Sequence, residues 1–221
     1  ATTEIYTLSL HDALPISMLG VGGYHIGWTT EKDAQEVIES ALDGGVRFFD
    51  TAESYANGGS EARFGKYLVP KYRDQVFIMT KSTATNGAVA KEHLEGSLKR
   101  LKCDYLDLWQ VHSLRTPDDV EERIKNEVLE VFEKAKSEGK VKHIGFTGHQ
   151  NPFAHKRMLN KTADNDIFET VQMPINVIDS HFHSFISHVL PIAVERNYGI
   201  LAMKTLSDGR FFKIKIGRAH V

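Results

Sequence analysis

Hydrophobic and polar positions divide the chain into short apolar runs separated by segments with helical spacing. In the segment that Thr30 opens, apolar residues recur at helical spacing, namely Ala34, Val37, Ile38, Ala41 and Leu42, and Gly44-Gly45 ends the pattern. The apolar runs predict strands near 18–21, 46–49, 76–80, 105–111, 141–146, 170–173 and 198–203. Because strands and helices alternate throughout, we expect a parallel sheet covered by helices.

The number of strand–helix units indicates how much of a (β/α)8 barrel the chain can form. Seven strands can be counted, and the helices between them include one that Ser60 caps and others near 88–101, 117–138, 152–162 and 179–197. A (β/α)8 barrel closes with eight strands and typically needs about 250 residues. The pattern therefore predicts an α/β fold, a (β/α)8 TIM barrel that is incomplete because the eighth strand is missing. An unclosed barrel would expose strand edges and lose core, which can leave such a chain inactive.

Polar side chains follow three successive predicted strands. Asp50 ends the run 46–49, Lys81 follows the run 76–80, and His112 follows the run 105–111, while Tyr55 comes five residues after Asp50. In a (β/α) barrel the carboxyl ends of the strands meet at one face and carry the chemistry. We expect Asp50, Tyr55, Lys81 and His112 to form one catalytic site.

The four residue types suit proton transfer to an oxygen atom. A lysine cation beside a tyrosine hydroxyl favours the phenolate and lowers the pKa of the tyrosine, which is normally about 10. Paired with Asp50, Lys81 would make Tyr55 a usable general acid, and a neutral His112 could orient a carbonyl oxygen. None of these groups donates hydride, so reduction would require a cofactor.

Three segments resemble the aldo-keto reductases. They are Gly45-Val46-Arg47-Phe48-Phe49-Asp50-Thr51-Ala52-Glu53-Ser54-Tyr55, the run ending in Lys81, and the Asp-Leu-Trp-Gln-Val-His run ending at His112. The resemblance covers about residues 18–212 and is greatest to a poorly characterised bacterial branch. It implies a (β/α)8 barrel that reduces aldehydes or ketones with NADPH, NADH being possible. Carried over, Tyr55 is the proton donor, Lys81 and Asp50 tune it, and His112 orients the small-molecule carbonyl substrate.

Further positions match the family more loosely. Gln172 corresponds to a glutamine that holds the nicotinamide carboxamide, and Thr147-Gly148-His149 replaces a Ser-Asn pair with the same task. Met203 replaces an aromatic ring that many members stack on the nicotinamide, and Gly22-Gly23 would allow a ligand close to the backbone. The expected cofactor-binding set is Gly22, Gly23, Asp50, Thr147, Gly148, Gln172, Met203 and Lys204. In this family, the basic residues that bind the 2′-phosphate of the cofactor's adenosine lie after the eighth strand. That strand is missing here, so the sequence does not predict whether NADPH or NADH is preferred.

Both ends of the chain resemble translated sequencing adapters. Residues 1–17 lack the features of a signal peptide, and residues 215–221 resemble the adapter of the opposite end. We therefore expect residues 1–17 and 215–221 to be non-native, and residues 18–214 to be a partial aldo-keto reductase barrel cut at both ends.

Composition bears on nucleic-acid binding, membrane insertion and the redox compartment. The net charge is -2 and the pI about 6.6, which gives no sign of a nucleic-acid surface. No run approaches the roughly 18 apolar residues of a membrane span. The single cysteine, Cys103, fits a reducing, cytoplasmic compartment, and its position at a helix-to-strand junction favours an idle thiol over a nucleophile.

The sequence bears on three other functions. A metal-dependent barrel hydrolase would use some of the 11 histidines, but His181-x-His183 and His188 fall in a predicted helix far from the early strands. A non-catalytic cofactor-binding or regulatory subunit would keep the same site residues, so turnover has to separate it from an enzyme. A Rossmann dehydrogenase is disfavoured because no G-x-G-x-x-G follows the first strand.

Overall fold

The strands form one closed barrel. The computed structural model describes residues 3–7, 17–165, 167–179 and 182–207. The strands of this part are β1 Thr3–Thr7, β2 Leu19–Gly22, β3 Phe48–Asp50, β4 Phe77–Ser82, β5 Leu106–Val111, β6 Val141–Thr147, β7 Thr170–Pro174 and β8 Gly199–Met203. They follow one another around the barrel in chain order. Strands β2 to β8 are parallel, and β1 is antiparallel to both β2 and β8.

The seven parallel strands confirm the predicted incomplete (β/α)8 barrel. Strand β1 occupies the place between β2 and β8, where the missing eighth strand was expected, but runs in the opposite direction. The edges that an open barrel would expose are therefore paired, contrary to expectation. Residues 3–7 thus take part in the barrel, although the sequence pattern left them out. Their adapter-like origin stays a prediction.

Helices cover the outside of the barrel. They are α1 Glu31–Asp43, α2 Gly59–Tyr67, α3 Val69–Tyr72, α4 Gly87–Leu101, α5 Pro117–Lys125, α6 Val128–Ser137, α7 Pro152–Lys161, α8 Phe185–His188 and α9 Leu190–Glu195, with 3₁₀ turns at His25–Gly27 and Arg73–Gln75. Side-chain caps begin several of them, as predicted for Thr30, whose hydroxyl accepts from the backbone N–H of Asp33 at 3.1 Å. Asn86 and Thr116 cap α4 and α5 in the same way.

Three helix predictions were wrong in detail. The helix predicted for 117–138 is two helices, because Glu127 adopts a left-handed φ of 61° and the backbone N–H of Gly87 donates to the carbonyl of Asn126 at this break. The helix predicted for 179–197 is reduced to the short α8 and α9. Ser60 does not cap α2, which starts at Gly59; its hydroxyl donates to the carbonyl of Gly23 at 2.8 Å instead.

The core has two layers. A small cluster fills the barrel interior with Phe48, Phe77, Met79, Leu108 and Leu201. A larger cluster packs the outer faces of the strands against the helices. Phe48 lies two residues before Asp50 in β3, and Met79 lies two residues before Lys81 in β4, so the apolar interior layer lies below the polar strand ends. It closes the barrel under the site.

Glu169, directly before β7, gives the fold a pH-dependent contact. Its carboxylate accepts the backbone N–H of Ile144 at 2.8 Å and pairs with Lys136. Burial raises the pKa of Glu169, but contacts with His143, Lys136 and Ile144 lower it more, so the pKa lies below its ordinary value of 4.5. A carboxylate whose pKa is lowered by folding stabilises the fold above the unfolded pKa. That contribution is lost as the pH falls through the folded pKa.

We therefore expect Glu169→Gln to lower the free energy of unfolding at neutral pH. The difference from the unsubstituted chain should shrink as the pH falls below 4.5. Urea unfolding curves across this range measure both quantities. A difference that stays constant from neutral to acidic pH would show that the Glu169 carboxylate charge does not stabilise the fold.

Candidate active site

The four predicted catalytic residues meet at the C-terminal end of the barrel. Asp50 ends β3, Lys81 lies near the end of β4, and His112 directly follows β5; these three side chains are almost completely buried. Tyr55 lies in the turn after β3, and its ring centroid is 5.8 Å from that of His112. The parallel strands bring the four residues together, as the sequence predicted.

Lys81 is the centre of the hydrogen bonds. Its ammonium group donates to Asp50 Oδ1, to the carbonyl of Thr51 at 2.8 Å and to the hydroxyl oxygen of Tyr55 at 3.2 Å. An ammonium has three N–H donors, so these contacts use all of them. Burial lowers the pKa of Lys81, but Asp50 and then Tyr55 raise it more, and the pKa lies above its ordinary value. Lys81 is therefore a fixed cation beneath the Tyr55 phenol.

His112 is held in its neutral form. Burial is the main cause that puts the pKa of His112 well below its ordinary value, and the charges of Lys81, His149 and Arg123 lower it further. The ring stands at 76° to that of Tyr55. Its Nδ1 has no hydrogen-bond partner among the described residues. A neutral imidazole in this position can donate one hydrogen bond to an oxygen without carrying charge.

Two of the predicted cofactor residues have suitable polar atoms. The side chain of Gln172 donates from Nε2 to Asp50 Oδ2 at 2.9 Å, while its Oε1 is buried without a partner among the described residues. Thr147, whose backbone is in register with that of Gln172, also has a buried hydroxyl without a described partner. These two atoms lie on neighbouring strands at the end of the barrel that carries the site.

The predicted glycines have tight surroundings. A Cβ at Gly23 would lie 2.5 Å from the carbonyl oxygen of Asp50, and one at Gly148 would lie 2.7 Å from that of Leu114. Close packing of the chain on itself is therefore enough to require glycine at both positions, without a ligand. Gly22 is paired in register with Asp50 in β2.

A cavity of about 500 Å³ opens beside the site. It is lined by His149, Gln150, Pro174, Asn176, Ile178, Asp179, Phe182, His183, Phe185, Lys204 and Ser207. His149 links the cavity to the site, because its ring centroid lies 6.2 Å from that of His112. Lys204, predicted to bind cofactor, lines this cavity, whereas the neighbouring Met203 is buried in β8.

Two residues at the site were not identified from the sequence. Tyr24 packs its ring edge-on against Tyr55 at 5.2 Å and is half exposed at the barrel mouth. Glu53 accepts from the backbone N–H of Thr83 at 2.9 Å and from that of Ser54 at 2.7 Å, which ties the turn carrying Tyr55 to the end of β4. An acidic residue inside the Tyr55 motif and an aromatic residue after the Gly22-Gly23 turn were the available signals.

The described residues also bear on metal binding, on the cysteine thiol and on membrane insertion. No three His, Cys, Asp or Glu side chains within them are placed to hold a metal ion, and His181 lies outside this part. Burial raises the pKa of Cys103 to about 11, so its thiol stays protonated. In the same part of the chain, no helix has both the length and the apolar character of a membrane span.

The fold is an α/β barrel with a cluster of buried polar side chains at the C-terminal ends of its strands. Comparison with known proteins makes this specific: the chain belongs to the aldo/keto reductase family, whose model matches residues 18–220.

Curated and solved relatives agree with this assignment. The aldo-keto reductase YhdN of Bacillus subtilis (strain 168) is 33% identical over 221 residues, which is 92% of this chain and 62% of that protein. An aldo/keto reductase of Klebsiella pneumoniae, solved in complex with NADP and acetate, is 27% identical with a TM-score of 0.70, over 86% of this chain and 64% of that one. The aldo-keto reductase AKR11C1 of Bacillus halodurans (holo form) shares the fold, with a TM-score of 0.75 at 23% identity over 100% of this chain and 70% of that one. The chain thus spans less than two thirds of YhdN and of the Klebsiella protein.

Proposed function

We propose that the protein reduces the carbonyl group of a small aldehyde or ketone to an alcohol, with a nicotinamide cofactor as hydride source and Tyr55 as proton donor. The observation that carries this proposal is the position of Lys81 Nζ, which contacts the Asp50 carboxylate and lies 3.2 Å from the Tyr55 hydroxyl oxygen. The ammonium stabilises negative charge on the phenol oxygen, so the tyrosine proton can be given up to a substrate oxygen.

The residues fit a nicotinamide cofactor. The buried Gln172 Oε1 and Thr147 Oγ1 can bond the donor and acceptor atoms of a carboxamide. The adjacent cavity, with Lys204 in its wall, has room for more of the ligand. When bound, such a cofactor supplies hydride to the carbonyl carbon. NADPH is the expected cofactor, and the NADP complex of the Klebsiella relative supports this choice.

Each catalytic side chain has a separate task in the proposal. His112, neutral because burial and nearby positive charge lower its pKa, donates a hydrogen bond that orients the carbonyl oxygen. Tyr55 transfers its proton to that oxygen as negative charge develops on it. Asp50 holds Lys81 in place and balances its charge, and Gln172 in turn holds Asp50.

The direct test is the reduction of a generic aldehyde by NADPH, measured as the decrease in absorbance of the reduced nicotinamide. We expect NADPH to quench the intrinsic fluorescence of the chain in a saturable way and to be oxidised only when the aldehyde is present. The rate should stay nearly constant between neutral and mildly acidic pH, since His112 does not gain a proton in this range. Failure to bind either NADPH or NADH would overturn the proposal.

The same measurements separate the alternatives. A regulatory subunit that keeps the site would bind NADPH without oxidising it in the presence of a panel of aldehydes and ketones. The metal-dependent hydrolase has no supporting observation in the described residues. A small-molecule substrate and a cytoplasmic location remain part of the proposal.

A further inference from the structure

Two arginines join the same pair of strands, β4 and β5, at opposite ends of the barrel. At the N-terminal end, Arg73 donates to the carbonyls of Val76, at 3.2 Å, and Tyr105, at 3.0 Å, and pairs with Asp107 at 2.8 Å. Val76 directly precedes β4, and Tyr105 directly precedes β5. We call this group the lower clamp.

At the C-terminal end, Arg123 of α5 makes the equivalent set of contacts. Its Nη1 donates to the carbonyls of Ala84 and His112, each at 3.1 Å, and its Nε donates to Asp119 Oδ1 at 3.0 Å. Ala84 lies just after β4, and His112 just after β5. We call this group the upper clamp. It differs from the lower clamp in that one of its acceptors belongs to a residue of the candidate active site.

The upper clamp is built to hold its position. The Arg123 side chain is only 2% exposed, so its hydrogen bonds are not exchanged for water. Asp119 is fixed at the start of α5, where Thr116 caps its backbone N–H and its Oδ2 accepts from the backbone N–H of Arg115 at 3.0 Å. The guanidinium therefore transmits the position of α5 to two strand ends.

Those strand ends carry the catalytic groups. Ala84 follows Lys81 by three residues, and the backbone N–H of His112 donates to the carbonyl of Ser82 at 2.8 Å. A shift of the Ala84 carbonyl relative to the His112 carbonyl would change the distance between the Lys81 ammonium and the His112 imidazole. The Tyr55 hydroxyl, which is bonded to Lys81, would move relative to the imidazole as well.

We propose that Arg123, anchored by Asp119, is a positioning residue that holds His112 and the end of β4 in the register at which the imidazole and the Tyr55 hydroxyl reach one carbonyl oxygen. The proposal rests on the proposed function for its catalytic consequence. Its structural part, the placement of His112, does not depend on turnover.

Arg123 also contributes charge at this position. The groups that face His112 are Lys81 from β4, Tyr55 from the turn after β3, His149 after β6 and Arg123 from α5. Burial is the largest cause of the low pKa of His112, with Lys81, His149 and Arg123 adding to it. Removing the Arg123 charge should therefore raise the pKa of His112, whereas removing Arg73 should not.

The test compares Arg123→Met with Arg73→Met in the whole chain. Each substitution removes a guanidinium that bonds two backbone carbonyls and a carboxylate, so both should lower the midpoint of urea unfolding. Only Arg123→Met should lower kcat by about tenfold, with the Kd for NADPH unchanged, since small displacements of catalytic groups are costly. Only Arg123→Met should raise the pKa of His112 and speed exchange of its backbone amide in NMR spectra.

Conservative variants sharpen the comparison. Arg123→Lys keeps the charge but loses the planar fork, so the low pKa of His112 should return while kcat stays reduced. Should Arg123→Met not fold, Asp119→Asn keeps a hydrogen-bond acceptor for the guanidinium, and a smaller loss of kcat is expected. Equal kcat values for the upper-clamp and lower-clamp variants would overturn the positioning role.

The outcomes also separate this inference from the proposed function. If the unsubstituted chain reduces no carbonyl, yet Arg123→Met alone changes the pKa and amide exchange of His112, the proposed function fails and the positioning role stands. If the chain turns over and Arg123→Met leaves kcat and His112 unchanged, the positioning role fails and the proposed function stands.

Discussion

Tyr55→Phe should abolish carbonyl reduction while leaving NADPH binding intact. The substitution removes the only atom of Tyr55 that contacts Lys81 by a hydrogen bond, at 3.2 Å, and with it the proton that the proposal requires. Loss of a general acid lowers rates by about 10²- to 10⁴-fold. The phenyl ring can keep its edge contacts with Tyr24 and His112, so the mouth of the barrel should keep its shape.

The measurement is kcat for a generic aldehyde together with the Kd for NADPH. Tyr67→Phe is the matched control, because it removes a tyrosine hydroxyl that bonds Glu31 on the protein surface at 2.8 Å. We expect the control to match the unsubstituted chain in both quantities. Turnover by Tyr55→Phe at the rate of the control would remove Tyr55 as the proton donor.

Lys81→Met should both destabilise the fold and stop turnover. The substitution leaves the Asp50 carboxylate buried and without its cation, while the hydrogen bond from Gln172 Nε2 is kept. Breaking a buried ion pair from one side typically costs about 3–5 kcal/mol, because the other charge is left uncompensated. It also removes the cation that stabilises charge on the Tyr55 oxygen.

Urea unfolding measures the first effect, and NADPH oxidation measures the second. Lys66→Met is the matched control, since it breaks an exposed lysine–carboxylate pair with Glu31 and should change the midpoint little. Adding Asp50→Asn to Lys81→Met removes the stranded charge and should restore part of the stability but none of the turnover. Equal midpoints for Lys81→Met and Lys66→Met would show that the buried pair is not required for the fold.

Local patterns predicted much of the site. Asp50, Lys81 and His112 were placed together because each ends a buried strand, and parallel strands end at the same face. Tyr55 was placed with them by its short distance from Asp50 in the chain. The resemblance then supplied Gln172 and Thr147, whose backbones are paired in register between β6 and β7.

Contacts between distant segments were beyond those patterns. Gln172 donates to Asp50 across 122 positions of the chain, and Arg123 reaches carbonyls after two different strands. Neither residue differs in its local sequence from an ordinary strand glutamine or helix arginine. Gly22-Gly23 was assigned to ligand approach and Gly148 to a nicotinamide contact, and these cofactor roles stay predictions. The tight surroundings of Gly23 and Gly148, which by themselves account for glycine there, could not be read from the local sequence.

Local periodicity and strand ends were enough to predict the alternation of strands and helices, the incomplete barrel, and the meeting of Asp50, Tyr55, Lys81 and His112 at its C-terminal end. Three features became visible only in the folded chain: the pairing of β2 and β8 with the antiparallel β1, the break in the helix after Pro117, and the buried groups that hold Asp50 and His112 in place. They arise because unpaired strand edges and buried polar groups find partners far away in the chain, and sequence spacing does not encode those contacts.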